Sequence, residues 1–495
     1  MIFDELINLV SSDEAPDICV DSRLVKDGGI FIAVKGTTLD GHNFIDEAIS
    51  NGAKYIICQQ ASNIKNKESG IEIVTVADSA KAAGILAQAS RANPASKLTN
   101  LAVTGTNGKT TVAYLVRSIT QNAGQKCGLI STIIYDTGLD SSQATLTTPD
   151  CLAIAEKQQQ MLKAGARYMV IEASSHALSQ NRLAGINFKA AAFTNLAGDH
   201  LDYHKTQKDY LAAKTKLFQS LSADAIAVLN KQSPQAEQIA QKTNAGILWY
   251  AIEQKTALAA HIESMDINGT VFALEYAGQK QKVKTSLIGR YNVSNHLAAA
   301  GLCLAASFNL DTIASGLSAL KVIPGRLEKL DGNGFSIFID YAHTDDALRN
   351  VLATLKPLCK GRLIVVFGCG GDRDRTKRPR MAAVTEKLAD FVIVTSDNPR
   401  TENPKSIISD IITGFENPNS ETITIEPDRK RAIKLAIETA IKNDIVLIAG
   451  KGHETYQIIG TQKFTFSDKE IAEECLKKRR RNRELNTDYT NLHST

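Results

Sequence analysis

The 495-residue chain lacks the features of a membrane protein, a disulfide-stabilised protein or a nucleic-acid-binding protein. No apolar run approaches the roughly 20 residues that a membrane-spanning helix needs. Its eight cysteines are scattered and form no CxxC pair, which is typical of reduced thiols in a cytosolic protein rather than of a disulfide framework or a zinc site. The net charge of +4 is too small to indicate nucleic-acid binding. The first residues, MIFDELINLV, have no basic segment before an apolar one, so no signal peptide is predicted.

Length and patterning predict an α/β protein of about three domains. Short apolar runs alternate with helical patterns along the whole chain, as in sheets covered by helices. The polar segment RANPASK and the Pro-Gly break in IPGRLEKL mark two boundaries. We therefore expect a small N-terminal α/β domain at residues 1–93, a central domain with a mainly parallel sheet at 94–324, and a C-terminal Rossmann-like α/β domain at 325–495.

Residues 98–124 have the layout of a phosphate-binding loop: a buried strand, the glycine turn GTNGKTT and a helix. In such a loop, backbone amides and the helix N-terminus face the anion, Lys109 reaches the outer phosphates, and Thr110 or Thr111 can hold Mg²⁺. The strict pattern has a glycine where this chain has Val103. The alternative is a tight turn that happens to carry a lysine. The phosphate loop is favoured because the flanking strand and helix are both present.

Two polar segments follow other predicted strands of the central domain. Glu172 ends one of these strands, at the sheet edge where ligands bind, and is a candidate Mg²⁺ ligand; a surface ion pair is the alternative. A second strand leads into a loop that contains Asp199, His200, Asp202 and His204. From the residues alone, Lys214 on the next helix is interpreted as a solvated lysine.

Three further segments have simple structural interpretations. Asn292, Asn295 and His296 stand near the start of a helix, where capping accounts for such residues. The segment GCGG suggests a dinucleotide fingerprint, but Arg373 occupies the position of the third glycine. The basic segment 477–483 is expected to be a solvated, frayed terminus. Each predicted strand after residue 325 leads into a polar loop, which favours a cleft at one sheet edge.

Ten motifs, in order along nearly the whole chain, resemble those of the Mur ligase family: VTGTNGKTT, EASSH, NLAGDHLDYH, AAKTKLF, GRYNVSNHLAA, PGRLE, DYAHTDDAL, GCGGDRDRTKRP, TSDNPR and AGKGHE. Val103 is the form that this family normally has. The chain departs from the family pattern at Asp345, where proline is usual, and at Ala197-Gly198, where a bulkier polar pair is common.

The resemblance implies an ATP-dependent, Mg²⁺-requiring ligase with a central P-loop ATPase domain. In this family, ATP phosphorylates a substrate carboxylate, and the amine of an incoming amino acid displaces the phosphate to form an amide. Phosphorylation is needed because a carboxylate is a poor electrophile; catalysis is then mostly positioning and charge neutralisation. We therefore expect small-molecule substrates, no nucleic-acid or membrane partner, a cytoplasmic location and a monomer.

The resemblance also assigns roles to individual residues of this sequence. The expected ATP contacts are Gly105, Thr106, Asn107, Gly108, Lys109, Thr110, Thr111, Asn292, His296, Arg326, Asp340 and His343. The expected metal and catalytic groups are Lys109, Thr110, Glu172, His200 and Lys214, the last as an N6-carboxylysine. The expected contacts to a UDP-sugar peptide are Ser22, Thr37, Thr38, Leu39, Thr147, Thr148, Ser174, Gln180 and Arg182. The expected amino-acid contacts are Arg373, Asp397, Asn398, Pro399, Arg400, Gly450 and Glu454.

The segment DNPR bears on which amino acid is added. Arg400 offers a planar, two-pronged donor that matches a carboxylate and repels an ammonium group. DNPR is the family's diaminopimelate form, which implies addition of meso-2,6-diaminopimelate to the D-glutamate of UDP-MurNAc-L-Ala-D-Glu. The alternatives are a lysine-adding ligase of the same family, folylpolyglutamate synthase, and a phosphate-loop regulator. The full first domain and DNPR argue against folylpolyglutamate synthase.

Overall fold

Three β-sheets, each formed by a continuous stretch of the chain, organise the structure. The computed structural model describes residues 1–36, 39–60 and 70–492, with side chains for all of these except 201–202 and 482–492. Helices cover both faces of the sheets, which buries the apolar side chains of parallel strands. Within the described residues, no helix is long and apolar enough to cross a membrane.

The N-terminal segment is a small α/β unit. Its elements are α1 (Phe3–Val10), β1 (Ile18–Cys19), β2 (Ile30–Ile32), α2 (Ile45–Ser50), β3 (Tyr55–Cys58), β4 (Glu72–Thr75) and α3 (Ser79–Ala89). The four strands form a parallel sheet in chain order. Asp78 caps α3 and also accepts a hydrogen bond from the side chain of Asn181 at 2.7 Å, which joins this unit to the next.

The central segment contains the largest sheet. Its elements are β5 (Thr99–Thr104), α4 (Lys109–Asn122), β6 (Cys127–Ile130), β7 (Ile134–Asp136), β8 (Ser141–Gln143), α5 (Cys151–Lys163), β9 (Tyr168–Glu172), α6 (Ser175–Ser179), β10 (Phe188–Phe193), α7 (Leu201–His204), α8 (Gln207–Gln219), β11 (Ile226–Asn230), α9 (Ala236–Ala240), β12 (Gly246–Ile252), β13 (Leu258–Asp266), β14 (Gly269–Tyr276), β15 (Gln279–Thr285), α10 (Arg290–Ala305) and α11 (Leu310–Ala319).

The central sheet is parallel in its middle and antiparallel at both edges. Its strand order is β15-β14-β13-β12-β11-β10-β5-β9-β6-β7-β8, parallel from β13 to β6. β5 lies between β10 and β9, with Thr104 opposite Phe193 and Val103 opposite Glu172. The carboxyl ends of these three strands therefore meet at one edge, as ligand sites in such sheets require.

The C-terminal segment is a second helix-covered sheet. Its elements are β16 (Glu328–Asp331), β17 (Ser336–Asp340), α12 (Asp345–Leu355), β18 (Leu363–Phe367), α13 (Lys377–Leu388), β19 (Phe391–Val394), α14 (Pro404–Ile412), β20 (Ile423–Ile425), α15 (Arg429–Thr439), β21 (Ile445–Ala449), β22 (Tyr456–Ile459), β23 (Gln462–Thr465) and α16 (Asp468–Leu492). Six strands form the order β16-β17-β21-β18-β19-β20, parallel except for β16, and β22 pairs with β23 as a hairpin.

The α/β class, the mainly parallel central sheet and the two flanking sheets confirm the predicted fold. One local prediction was wrong in part and one was wrong. The segment 477–483 is not frayed but continues α16, although Lys477, Lys478, Arg480 and Arg481 are exposed as predicted. Arg479 donates to the carbonyls of Ile437 and Ala440 at the end of α15. The capping interpretation of Asn292, Asn295 and His296 also fails, since α10 begins at Arg290 after Gly289 and buries all three.

Candidate active site

The glycines of the segment 104–111 allow the loop to approach its neighbours closely. Gly105 has φ +149°, and a Cβ there would lie 1.9 Å from Thr194 Oγ1. Gly108 has φ +91°, and a Cβ there would lie 2.2 Å from Asn295 Oδ1. Only glycine accommodates this backbone without displacing these polar neighbours. The loop therefore has the strand, glycine turn and helix N-terminus of an anion-binding site.

Glu172 is fully buried at the carboxyl end of β9 and is held by hydroxyl and amide donors. Its Oε2 accepts from Thr110 Oγ1 at 3.1 Å and from Thr132 Oγ1 at 3.0 Å, and its Oε1 accepts from the Thr132 amide at 2.8 Å. Thr132 Oγ1 also lies 3.2 Å from Thr147 Oγ1, whose hydroxyl can donate to it. The alternative of a surface ion pair with a lysine is therefore wrong. Carboxylate and hydroxyl oxygens meet here, the ligand types that Mg²⁺ prefers.

Lys214 lies in the interior beside the phosphate loop. Its side chain is 1% exposed, so the interpretation as a solvated lysine is wrong. Its Nζ donates to Gly105 O at 2.8 Å and lies 4.3 Å from the Tyr210 ring centroid, and Lys109 Nζ donates to the same carbonyl at 3.0 Å. Burial, and then the charge of Lys109, hold the pKa of Lys214 well below its usual value.

Asp199 and His200 stand at the mouth of the same region. His200 Nε2 lies 3.5 Å from Asp199 Oδ2, and the rings of His176 and His200 meet edge to face at 4.8 Å. Loss of hydration lowers the pKa of His200 to about 4. The negative charge of Asp199 opposes this decrease, and the nearby His176, Lys109 and Lys214 add to it. A neutral imidazole is the form that binds a metal ion.

The C-terminal segment forms the opposite wall. Arg326 Nη2 donates to Thr110 Oγ1 at 3.1 Å, and its guanidinium lies 4.6 Å from the Tyr341 ring centroid. Asp340 accepts from the amides of Leu327 and Ala342 at 2.7 and 2.8 Å. Burial raises the pKa of Asp340, against the opposing charge of Arg326. Both walls therefore contribute fixed polar groups to one space.

A cavity of about 730 Å³ lies between these walls. Most of the predicted ATP contacts line it: Thr106, Asn107, Gly108, Lys109, Thr110, Thr111, Asn292, Arg326, Asp340 and His343. Glu172, Asp199, His200 and Thr147 line it as well. His296 is placed elsewhere: it is fully buried and hydrogen-bonds Asn292 O at 2.6 Å and Thr285 Oγ1 at 3.2 Å. Gly105 lies at the base of the loop, behind the lining residues.

The predicted peptide contacts surround the carboxyl end of β9. Thr148 Oγ1 donates to Glu172 O at 2.6 Å and lies 3.0 Å from Ser174 Oγ, whose hydroxyl can donate to it. Arg182 donates to Thr148 O at 2.8 Å, and its Nη2 and Nε donate to Gln180 Oε1 at 2.7 and 3.0 Å. The structure thus brings Thr147, Thr148, Ser174, Gln180 and Arg182 together.

The predicted UDP-sugar contacts lie in the N-terminal segment. Ser22 is buried and donates to Glu47 Oε2 at 2.7 Å, whereas the side chain of Leu39 is exposed. Thr37 and Thr38 lie outside the described residues.

The predicted amino-acid contacts converge at the carboxyl edge of the C-terminal sheet, after β18, β19 and β21. Arg400 Nη1 donates to Gly371 O at 2.8 Å, and Asn398 Nδ2 donates to Glu454 Oε2 at 2.9 Å. A Cβ on Gly450 would lie 2.6 Å from Asp397 Oδ2. Pro399 lies between Asn398 and Arg400, and Arg373 is exposed on the neighbouring loop. The structure thus places these residues on neighbouring loops at one sheet edge; that they bind an amino acid stays a prediction.

Sequence reasoning missed two groups that build these walls. Thr132 holds both oxygens of Glu172, and Lys451 is fully buried against Asn398 and Glu454. The lysine of AGKGHE was visible as part of a motif, but a single lysine between glycines does not indicate burial.

A phosphate loop that faces a second sheet across a polar cavity defines the class of P-loop nucleotide-dependent enzymes. Comparisons with known proteins narrow this class. The sequence matches the models of the Mur ligase family, catalytic domain, at residues 17–93, the Mur ligase middle domain at 103–303 and the Mur ligase, glutamate ligase domain, at 325–452.

Individual proteins agree with these matches. The UDP-N-acetylmuramoyl-L-alanyl-D-glutamate–2,6-diaminopimelate ligase of Geobacillus kaustophilus is 42% identical over 474 residues, which are 94% of this chain and 96% of that protein. A solved structure of a ligase with the same name is 33% identical, with a TM-score of 0.65 over 94% of this chain and 95% of that one. Mycobacterium tuberculosis folylpolyglutamate synthase complexed with ADP and AMPPCP shares the fold, at 19% identity and a TM-score of 0.61 over 74% of this chain and 91% of that one.

The chain belongs to the Mur ligase family. It is an ATP-dependent ligase that joins an acid to an amino acid in peptidoglycan precursor synthesis.

Proposed function

We propose that the chain adds meso-2,6-diaminopimelate to the D-glutamate of UDP-N-acetylmuramoyl-L-alanyl-D-glutamate through an acyl-phosphate intermediate. The near full-length identity to ligases with that name supports the proposal. The observation that carries it is the placement of Arg400 next to Asn398, whose side-chain amide in turn donates to Glu454. A guanidinium fork next to an amide and a carboxylate suits a ligand that has both carboxylates and ammonium groups.

We assign the three substrates to three parts of the chain. Residues 1–93 bind the UDP-sugar through Ser22 and Leu39, with Thr37 and Thr38 expected there from sequence. Residues 94–324 bind ATP through the phosphate loop, and the neighbouring residues 147–182 orient the peptide carboxylate. Residues 325–495 bind the amino acid and contribute Arg326, Asp340 and His343 to the nucleotide side.

Lys109 and the loop amides would neutralise the transferring phosphoryl group. Lys109 Nζ donates to the carbonyls of Gly105 and Thr106 at 3.0 and 2.9 Å. These bonds hold the ammonium group above the loop that would surround the phosphates. The chain thus provides positioning and charge complementarity, the main requirements of phosphoryl transfer.

Mg²⁺ fits the oxygen donors of the site. Glu172 and Thr110 supply a carboxylate and a hydroxyl 3.1 Å apart, and His200 stands in the same cavity. Within the described residues, no cluster of three His, Cys, Asp or Glu side chains could enclose a metal ion. This suits Mg²⁺, which keeps water and phosphate oxygens in its shell. When bound, it would screen the negative charges of the ATP phosphates and the substrate carboxylate.

Lys214 is suited to become an N6-carboxylysine. Its lowered pKa favours the neutral amine, the form that adds CO₂ to give a carbamate. The carbamate would replace a buried neutral amine by an anionic oxygen ligand beside Mg²⁺. The mass of a peptide that contains Lys214, released under conditions that preserve carbamates, tests this assignment: an unmodified lysine in active enzyme would contradict it.

Arg400→Ala tests the choice of amino acid. We expect at least about a hundredfold loss of kcat/KM for diaminopimelate, because the far carboxylate loses a charge-assisted, two-pronged donor. The KM for ATP should stay near the wild-type value. The assay measures amide product by mass with diaminopimelate or L-lysine offered separately, and Arg431→Ala, on the exposed face of α15, is the control. Wild-type kinetics with diaminopimelate in Arg400→Ala would refute the assignment.

The same assay separates the alternatives. A lysine-adding ligase would form product only with lysine, and a nucleotide-binding regulator would release phosphate without amide product.

The eight cysteines are all unpaired, which supports a reducing cytoplasmic location. We also propose that the protein is a monomer, which light scattering of the purified chain would test.

A further inference from the structure

Lys451 is a fully buried cation in the wall of the amino-acid pocket. It follows β21, and its side chain is 0% exposed. Nζ donates to Asn398 Oδ1 at 3.0 Å and to Glu454 Oε2 at 3.1 Å, and lies 5.6 Å from the Tyr456 ring centroid. Burying an ammonium group is costly unless its hydrogen bonds and charge are matched. Both of its acceptors belong to the predicted pocket, so the lysine has a place in the pocket rather than in the general core.

The Asn398 side chain has a defined orientation because of this contact. Its Oδ1 accepts from Lys451 Nζ and from the amide of Ile458 at 3.0 Å, while its Nδ2 donates to Glu454 Oε2 at 2.9 Å. A flipped amide would turn its NH₂ group toward two donors, which is unfavourable. Lys451 and the hairpin strand β22 therefore fix which end of the Asn398 amide faces Glu454.

Only one of the two carboxylate oxygens of Glu454 accepts hydrogen bonds from the described residues. Oε2 accepts from both Asn398 and Lys451, whereas Oε1 accepts no hydrogen bond from any residue that the structure describes. The Glu454 side chain is 14% exposed, so this second oxygen retains access to a ligand. The arrangement presents an oriented carboxylate oxygen that can accept from a ligand ammonium group.

We propose that Lys451 is a positioning residue of the amino-acid pocket. It holds the Asn398 amide and one oxygen of Glu454, and thereby presents the other oxygen to an ammonium group of the incoming amino acid. The inference rests on the proposed function, which supplies the diamino acid as ligand. Lys451 itself touches no substrate in this scheme, since both of its hydrogen bonds end on pocket residues.

The test is Lys451→Met in the full-length enzyme, with steady-state KM values for diaminopimelate, ATP and the UDP-sugar peptide measured separately. We expect the KM for diaminopimelate to rise about 10- to 100-fold, because Glu454 and Asn398 lose a charge-assisted donor that fixes them. The KM values of the other two substrates should change less than about threefold. An unchanged KM for diaminopimelate, or an equal rise for all three substrates, would overturn the proposal.

Lys434→Met is the matched control. Lys434 also pairs with a glutamate close in sequence, Glu438, at 3.7 Å, but its side chain is 61% exposed. We expect this variant to keep all three KM values, since exposed ion pairs contribute little. A rise in its KM for diaminopimelate as large as that of Lys451→Met would overturn the proposal.

A double variant tests whether Lys451 acts through Glu454. In the Glu454→Gln background, Lys451→Met should raise the KM for diaminopimelate much less than it does alone, because both substitutions disrupt the same Lys451–Glu454 contact. If the two substitutions raised the KM by factors that simply multiply, the proposal would be contradicted. If Lys451→Met does not fold, Lys451→Gln, which keeps a donor, replaces it, and failure of both to fold would assign Lys451 to the fold instead.

Failure of the proposed function gives a different result. In that case the wild-type enzyme itself would form no amide product with diaminopimelate. If only the present inference is wrong, the wild-type enzyme forms that product and Lys451→Met forms it with the same KM.

Discussion

Glu402 is the residue whose ionisation we expect to influence stability most clearly. Its carboxylate accepts from Arg378 at 2.8 and 3.0 Å, from Arg375 at 2.7 Å and from the amide of Asp372 at 2.6 Å. The hydrogen bonds from Arg378 have the largest effect and lower the pKa of Glu402. Burial opposes them as the second-largest effect, and the hydrogen bonds from Arg375 and the Asp372 amide help to bring the pKa to about 2. The ionised form therefore ties the loop 370–375 to the start of α13 and to residues 399–402.

Glu402→Gln should lose stability in a pH-dependent way. A carboxylate with a lowered folded-state pKa stabilises the fold above its unfolded value of about 4.3 and loses that contribution as pH falls toward about 2. We expect the variant to be about 1–3 kcal/mol less stable near neutral pH, since Arg378 is fully buried, and the difference to shrink between about pH 5 and about pH 3. Urea unfolding across this range measures it, with the exposed Glu438→Gln as control. A difference that does not depend on pH would contradict the assignment.

Sequence predicts the chemistry of single residues better than their surroundings. Lys109 and Glu172 follow glycine-turn and strand-end patterns, and the structure places both on the cavity wall. Lys214 lies on a helix and Lys451 lies between two glycines, and neither position indicates burial, yet both side chains are buried. Burial of a lysine depends on distant segments, here Gly105 for Lys214 and Asn398 for Lys451. No local pattern records such contacts.

At the level of elements, two loops of the C-terminal sheet pack through a glycine. The Gly371 amide donates to Asn398 O at 2.9 Å, and Gly371 O accepts from Arg400 Nη1 at 2.8 Å. A Cβ on Gly371 would lie 1.9 Å from Pro399 O, which is a backbone atom and cannot move aside alone. The loop after β18 therefore sets the position of Arg400.

Gly371→Ala should separate these loops. We expect at least about a tenfold rise in the KM for the amino acid, because the overlap with Pro399 O displaces the Arg400 guanidinium, while ATP binding stays intact. Steady-state kinetics with each substrate varied measures this. Gly198→Ala is a control for folding, since the nearest atom to its Cβ would lie 4.0 Å away, and its thermal stability should match the wild type. Unchanged amino-acid kinetics in Gly371→Ala would show that the loops adjust freely.

Elements with strong periodicity were predictable, and those defined by tertiary contacts were not. The helix Lys109–Asn122 and the strand Tyr168–Glu172 follow from apolar spacing and flanking glycines. Nothing in the local pattern indicated that α16 would extend through the basic segment 477–483. Its packing against α15 and the carbonyl contacts of Arg479 stabilise it, and these involve residues about 40 positions away.

At the scale of the whole molecule, the central and C-terminal segments face each other across the cavity of about 730 Å³. Arg326 donates to Thr110 in the phosphate-loop helix, and Asn107 Nδ2 donates to Asp346 Oδ2 at 2.9 Å. These bonds join segments more than 200 residues apart. The motifs assign substrate contacts to all three predicted domains, but the orientation of one sheet to the other depends on contacts between distant segments, which no motif encodes.

Arg326→Ala should weaken the coupling between nucleotide binding and the contact of the central segment with the C-terminal segment. Arg326 contacts both Thr110 and the Tyr341 ring. Its Nε is buried without a hydrogen-bond partner among the described residues, so the guanidinium has a donor to offer a ligand. We expect about a tenfold loss of affinity for a non-hydrolysable ATP analogue and loss of nucleotide-dependent protection of the segment 320–327 from proteolysis.

Titration calorimetry and limited proteolysis with and without the analogue measure these two effects, and Arg431→Ala, which is exposed, controls for the loss of an arginine. A change in affinity with protection retained would make Arg326 a nucleotide contact only. If both affinity and protection were retained, Arg326 would not be needed, and the hydrogen bond between Asn107 and Asp346 would be the contact that joins the two segments. Loss of both would place the link between ATP binding and the joining of the two sheets at Arg326, because this side chain contacts the phosphate-loop helix and the C-terminal wall at once.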